Sequence, residues 1–164
     1  MVFDRRSVLT LGSALAAAAS SLGLGQKVLA AAEDFAVIKS DEDWRSSLDP
    51  AAYDVLRREG TERPYSSPLN REHRPGRYAC AGCDTDLFSS LTKFDSHTGW
   101  PSFWRPLDGA VGESRDRTLA MTRTEVHCAT CGGHLGHVFN DGPHPTGLRY
   151  CMNGVAMGFT AGEA

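Results

Sequence analysis

Apolar and polar positions divide the chain into three stretches with different periods. From Val8 to about Leu24, Leu, Ala and Gly form a nearly continuous apolar run. Gly12, Ser13, Ser20, Ser21 and Gly23 interrupt it, which makes it a weak membrane-spanning candidate. Residues 33–62 carry helical signals. Ser40 or Asp41 can cap a short helix through Trp44, with Asp43 near its positive end. Asp49-Pro50 places a capping acid before proline at the first helical position, AAYDVLRRE continues as an amphipathic helix, and Gly60 is the expected stop. After Gly60 no helical period of useful length survives. Pro, Gly, Ser and Asp recur at short intervals, as at Pro75-Gly76, Asp108-Gly109 and Asp141-Gly142-Pro143. Between them lie strand-like runs: TLAMTRTEV (Thr118–Val126), GHVFN (Gly136–Asn140) and GLRYCMN (Gly147–Asn153). The pattern predicts a mainly β, compact antiparallel domain over residues 63–164 behind a short helical lead-in.

The N-terminal run has a specific context. Arg5-Arg6 precedes it, and small residues follow at Ala30 to Ala32. Together these predict a twin-arginine (Tat) signal peptide over residues 1–32, cleaved near Ala30 to Ala32, with periplasmic delivery by the Tat export machinery. A retained anchor and an ordinary Sec signal are the alternatives. Cleavage leaves a stretch long enough for one domain with its own core. It also leaves 14 basic against 19 acidic residues, a net charge of −5. That balance gives no electrostatic case for nucleic acid or an anionic membrane surface. There is no extended coiled-coil pattern, so a monomer is the default.

The five cysteines separate into two kinds. Cys80 and Cys83 form one C-x-x-C pair and Cys128 and Cys131 another, with 44 residues between Cys83 and Cys128. Two such knuckles can close a tetrahedral structural zinc site with no open position. The long spacer means the metal would pin two remote parts of one fold. Two disulfides, or thioredoxin-like redox pairs, are the other readings; the latter lack their flanking βαβ pattern here. Zinc also suits the export route. A periplasm oxidises thiols, whereas Tat carries folded cargo that can be metal-loaded in the cytoplasm.

Cys151 has no sequence partner and is free to be a nucleophile. Strand alternation would put Arg149, Cys151 and Asn153 on one face, with the guanidinium favouring the thiolate. An inert buried cysteine is the plain alternative. His134, His137 and Asp141 follow the second knuckle and can supply protons and hydrogen bonds beside that thiol; a metal pair is the other reading of H-x-x-H. His73, His97, His127 and His144 read as surface or turn residues. Trp100, Phe103 and Trp104, around Gly99 and Pro101, can form a rigid apolar wall for a methyl-sized group, or can pack in the core.

These strings occur together in a known order. RPYSSPL, EHRPG, both knuckles, LFSS-x-x-KFDS, GWPSFW, RTEVHC, HLGHVFNDGP and TGLRYCMN resemble the methionine sulfoxide reductase B family from about Arg63 to Phe159. The resemblance implies a fold of two antiparallel sheets and structural zinc on Cys80, Cys83, Cys128 and Cys131. It implies reduction of the R epimer of free or protein-bound methionine sulfoxide, a repair of oxidised proteins. Cys151 would attack the sulfoxide sulfur and end as a sulfenic acid. Trp100 would hold the methyl group with Phe103 nearby, and His134, His137, Asp141, Arg149 and Asn153 would organise the oxygen side. Many relatives carry a resolving cysteine where this chain has Thr98, so an external thiol, of a thioredoxin-like donor, would re-reduce Cys151. The residues themselves admit two rivals, a catalytically silent zinc-clipped binding module and a thiol peroxidase.

Overall fold

The computed structural model describes residues 34–117 and 122–164, so the signal-like segment lies outside the described residues. Glu33–Ala164 group as one compact unit. Two short helices open it. In α1 (Asp41–Ser47), Ser40 and Asp43 form a reciprocal capping box. In α2 (Pro50–Arg58), the Asp49 side chain accepts from the Ala51 N–H. The helix ends on Glu59, which takes the left-handed cap at φ 57°, rather than on Gly60. Gly60 packs closely against the end of α2, where a Cβ would lie 3.0 Å from the Asp54 backbone oxygen.

Nine strands follow among the described residues: β1 (Gly76–Cys80), β2 (Asp86–Ser89), β3 (Lys93–Phe94), β4 (Ser102–Phe103), β5 (Val111–Asp116), β6 (Arg123–Cys128), β7 (His134–Phe139), β8 (Arg149–Met152) and β9 (Met157–Ala161). They form two antiparallel sheets, β2-β1-β9 and β3-β4-β8-β7-β6-β5, as expected of a mainly β domain. The strand expected over Thr118–Val126 begins only at Arg123 and continues to Cys128. Residues 118–121 lie outside the described residues.

Tyr78, Leu87, Phe88, Phe103, Val126, Leu135 and Met152 are fully buried and bring the two sheets into one core. Phe88 stacks on Phe103 at 4.3 Å between ring centroids, and Tyr78 meets Phe103 edge-on at 4.9 Å. Burial of each such side chain stabilises the fold by about 1.5–3 kcal/mol. Strand β8 alternates as its sequence requires, with Tyr150 and Met152 buried and Arg149 and Cys151 half-buried.

The lead-in belongs to this core. Helix α2 buries Ala52, Tyr53, Val55 and Leu56, and Val37 N–H donates to Thr130 O at 2.9 Å, beside the second knuckle. Arg57 lies over the buried Trp44 ring at 4.9 Å and donates to Cys131 O at 3.2 Å.

Candidate active site and metal centre

The paired cysteines converge. Their four sulfurs lie within 4.8 Å of one another. Cys80 and Cys131 sulfurs are 3.7 Å apart, and Cys83 and Cys128 sulfurs 3.6 Å. A disulfide needs about 2.05 Å. Tetrahedral zinc with bonds of about 2.3 Å sets its sulfurs about 3.8 Å apart, so the four residues fit a bound metal ion. Cys80 ends β1 and Cys128 ends β6, so the cluster ties one sheet to the other. Both knuckles make the same turn: Asp84 N–H donates to Cys80 O and Gly132 N–H to Cys128 O, each at 2.9 Å. Asp84 and Gly132 take the left-handed conformation this turn needs, at φ 60° and 67°. Gly82 N–H faces the Cys80 sulfur at 3.4 Å.

The second centre forms around Cys151, on the central strand β8. Its direct cross-strand neighbours are Ser102 on β4 and His137 on β7. Register alone therefore brings an imidazole and a hydroxyl to the thiol. A cleft of about 120 Å³ opens over it, lined by Thr61, Trp100, Arg123, Gly136, His137, Phe139, Cys151 and Asn153. Gly136 permits the close approach of β7 to β8, since a Cβ there would lie 2.1 Å from Cys151 O. Burial pushes the Cys151 thiol up, opposed by the Thr98 hydroxyl and the Arg149 charge. The guanidinium expected to create a ready thiolate is thus outweighed by desolvation.

His137 is half-buried, and its Nε2 lies 2.8 Å from Asp116 Oδ2. Burial draws its pKa down while Asp116 draws it up, and the net direction is down. Asp116 also receives Arg123 at 2.6 Å. His134 is buried away from the Cys151 cleft, with Nδ1 2.8 Å from Glu125 Oε1, and lines an adjoining groove. Hydrogen bonds from His127, then His134, hold the Glu125 carboxyl well below its usual range. His127, expected at the surface, is instead buried in this cluster with Phe35 edge-on at 5.8 Å. Its place on β6, two residues from Glu125, turns it inward with that carboxylate.

One residue of the lead-in stitches the cleft together. Glu62 N–H donates to Asn153 Oδ1 at 3.0 Å, and Glu62 O accepts from Trp100 Nε1 at 3.2 Å. Its carboxylate accepts from the backbone N–H groups of Gly154 and Val155. Burial raises the Glu62 carboxyl despite these donors. Asn153 is buried, and its Nδ2 also donates to Leu135 O at 3.0 Å. Its carbonyl oxygen and one amide hydrogen are thereby committed, leaving one hydrogen for a ligand.

Cys151, His137, Trp100 and Asn153 therefore meet at one cleft, while four other expectations change. Phe103 is fully buried and stacked in the core, because alternation on β4 sends it to the face opposite Ser102. Phe139 takes the apolar position instead; lying two residues from His137 on β7, it shares that face. Arg149 is held by Asp141 through two hydrogen bonds, at 2.8 and 2.9 Å, and its guanidinium lies 4.4 Å from the Phe139 ring centre. Arg149 and Asp141 thus support the cleft's rim rather than lining it. His134 supports it from the adjoining groove. Thr61, Glu62 and Asp116 were not anticipated. Thr61 and Glu62 precede the domain in sequence, and Asp116 reaches His137 only through the β5-β6-β7 register.

Comparison with known proteins agrees with this geometry. The family model described as the SelR domain matches residues 48–161. A peptide methionine sulfoxide reductase MsrB of Agrobacterium fabrum is 58% identical over 124 residues, covering 75% of this chain and 92% of the relative. The protein of the same name from Leptospira interrogans is 51% identical over 127 residues, covering 77% and 97%. That from Methanosarcina mazei is 54% identical over 126 residues, covering 76% and 90%.

Proposed function

The chain belongs to the MsrB family of peptide methionine sulfoxide reductases, through its SelR domain, and from that premise we propose that it reduces the R epimer of methionine sulfoxide, free or in oxidised proteins. The observation that carries the reading is the cleft itself, a half-buried thiol lined by an imidazole–carboxylate pair and by the Trp100 and Phe139 rings. The rings accept the apolar methyl group. His137 and the remaining Asn153 hydrogen address the oxygen. A centre that binds the methyl group and the oxygen at separate, fixed groups accepts one sulfur configuration better than its mirror image.

The Cys151 thiolate attacks the sulfoxide sulfur while His137 protonates the oxygen, which would otherwise leave poorly. The methionine sulfur gains two electrons and the Cys151 sulfur loses two, ending as a sulfenic acid. One external thiol then condenses with it, releasing water and forming a mixed disulfide. A second thiol frees Cys151. The other four cysteines are taken by the metal centre, so the donor is external and thioredoxin-like. Cys80, Cys83, Cys128 and Cys131 hold a structural zinc ion, which keeps all four as thiolates and contributes stability, not chemistry. The twin arginine and the apolar run support export through the Tat pathway to the periplasm, with removal of residues 1–32.

A single-turnover experiment tests the proposal. Without reductant, each protein should yield one methionine, and dimedone should then label Cys151 alone, with zinc retained. A Cys151 disulfide with any knuckle cysteine, accompanied by zinc release, would contradict the external-donor cycle.

A further inference from the structure

We propose that Thr98 is a positioning residue that hydrogen-bonds the Cys151 sulfur and donates to its thiolate, with Ser96 and Ser102 governing which way its hydroxyl points. The inference rests on Cys151 being the nucleophile. Three linked hydroxyls run from that sulfur to the backbone of Trp100, the last of them, Ser102, being also the cross-strand neighbour of Cys151. Thr98 Oγ1 is 3.8 Å from Cys151 Sγ, Ser96 Oγ is 2.8 Å from Thr98 Oγ1, and Ser102 Oγ is 2.7 Å from Ser96 Oγ. The row ends where the fully buried Ser102 hydroxyl donates to Trp100 O at 3.1 Å.

Each hydroxyl has one hydrogen, and that fixes the direction of the row. Ser102 gives its hydrogen to the Trp100 carbonyl, so Ser96 must donate to Ser102, and Thr98 to Ser96. Thr98 then faces the sulfur with a lone pair, which suits a neutral thiol donating to it. When the thiol ionises, the sulfur accepts only. Rotation of the three hydroxyls reverses the row: Ser102 donates to Ser96, Ser96 to Thr98, and Thr98 to the thiolate. A hydrogen bond to the ionised sulfur is stronger than the thiol contact it replaces. The release of the Trp100 carbonyl offsets part of that gain. The row therefore links the ionisation of the nucleophile to the backbone of the residue that walls the cleft.

Other groups also face this sulfur. Arg149 lies two residues away on the same strand and is paired with Asp141; Ser102 on β4 and His137 on β7 are the sulfur's cross-strand neighbours, and Arg123 from β6 lines the same cleft. Thr61 and Trp100 bring no charge. Arg149 and Ser102 also reach the sulfur, Arg149 with its charge partly neutralised by Asp141, and the Thr98 hydroxyl is the foremost of these hydrogen-bonding partners.

The test is the pH dependence of iodoacetamide alkylation of Cys151 in the purified protein, read by mass spectrometry of the Cys151 peptide. Thr98→Val should slow alkylation about three- to tenfold at neutral pH, and the two rates should converge at alkaline pH, where both thiols are ionised. Thr98→Ser should restore the original curve. Ser96→Ala frees the Thr98 hydrogen without reversing the row, so its neutral-pH rate should equal or exceed that of the unaltered protein. A Thr98→Val curve that superimposes on the original, or is slowed equally at every pH, would overturn the proposal, as would failure of Thr98→Ser to restore it. Slowing by Ser96→Ala to the Thr98→Val rate would overturn the reversible row. Alkylation involves no sulfoxide, so failure here is distinct from failure of the reductase reading, which the turnover experiment reports.

Discussion

In the proposed mechanism Cys151 and His137 carry opposed ionisation demands. Attack needs a thiolate, yet burial pushes the thiol up; proton donation needs an imidazolium, yet burial pulls the imidazole down. The active combination is then a small, constant fraction of the protein between the two pKa values. Below the lowered His137 value both groups are protonated, so activity climbs as the thiolate fraction grows. Above the raised Cys151 value it falls as imidazolium disappears. The profile of kcat/KM should thus be a broad plateau whose acid limb reports His137 and whose alkaline limb reports Cys151. His137→Asn should lower kcat by about 10²–10⁴-fold, a loss that steady-state kinetics would detect. Asp116→Asn removes the partner that draws the imidazole up, so the acid limb should move to lower pH; an unmoved limb would separate Asp116 from His137. At this scale the sequence singles out Cys151, His137 and Trp100, because their strings are local, and the structure brings the three to one cleft. It misassigned Phe103, since aromatic residues three positions apart do not reveal which one a two-residue strand turns inward. Phe103→Ala should cost about 3–5 kcal/mol of stability in denaturant melts while leaving the KM of the folded fraction nearly unchanged.

Pairing between elements, more than any one string, assembles the cleft. β4-β8-β7 register sets Ser102 and His137 beside Cys151, and Glu62 ties the lead-in to Trp100, Asn153 and the Gly154–Ala156 turn. Hydrogen bonds to a charged acceptor contribute about 1.5–3 kcal/mol each. Glu62→Ala should therefore lower kcat/KM by about tenfold or more, with Glu62→Gln retaining more of the activity and zinc content unchanged in both. Equal activity in Glu62→Ala and the unaltered protein would remove Glu62 from the account. Short runs and breakers marked the helices and the later strands, and alternation at β8 was read correctly. The partners across the sheet were not legible, because a linear pattern carries no register. Nor did anything local in GTERP announce that Glu62 reaches residues some ninety positions later, as its bonds to Gly154 and Val155 require.

On the scale of the whole molecule, the cysteine cluster joins the end of β1 in one sheet to the end of β6 in the other, under the cover of α1 and α2. Structural zinc sites have apparent binding free energies of about 10–16 kcal/mol. Cys83→Ser, or a strong chelator under reducing conditions, should therefore release one zinc per chain and lower the melting temperature sharply. An unchanged melt would deny the metal a structural part. Spacing made this centre readable from the chain alone, since two C-x-x-C turns can bring four sulfurs together without knowledge of the topology. That the clip joins the two sheets could be seen only once β1 and β6 had been assigned to different ones. The central claim, that this cleft reduces one epimer through Cys151, has a direct measurement. Purified protein from about residue 33, with dithiothreitol, is given resolved R and S epimers of a blocked methionine sulfoxide, beside Cys151→Ser. The account predicts loss of the R epimer alone, abolished by the substitution. A folded, zinc-loaded protein that consumed neither epimer, or both at equal rates, would contradict it.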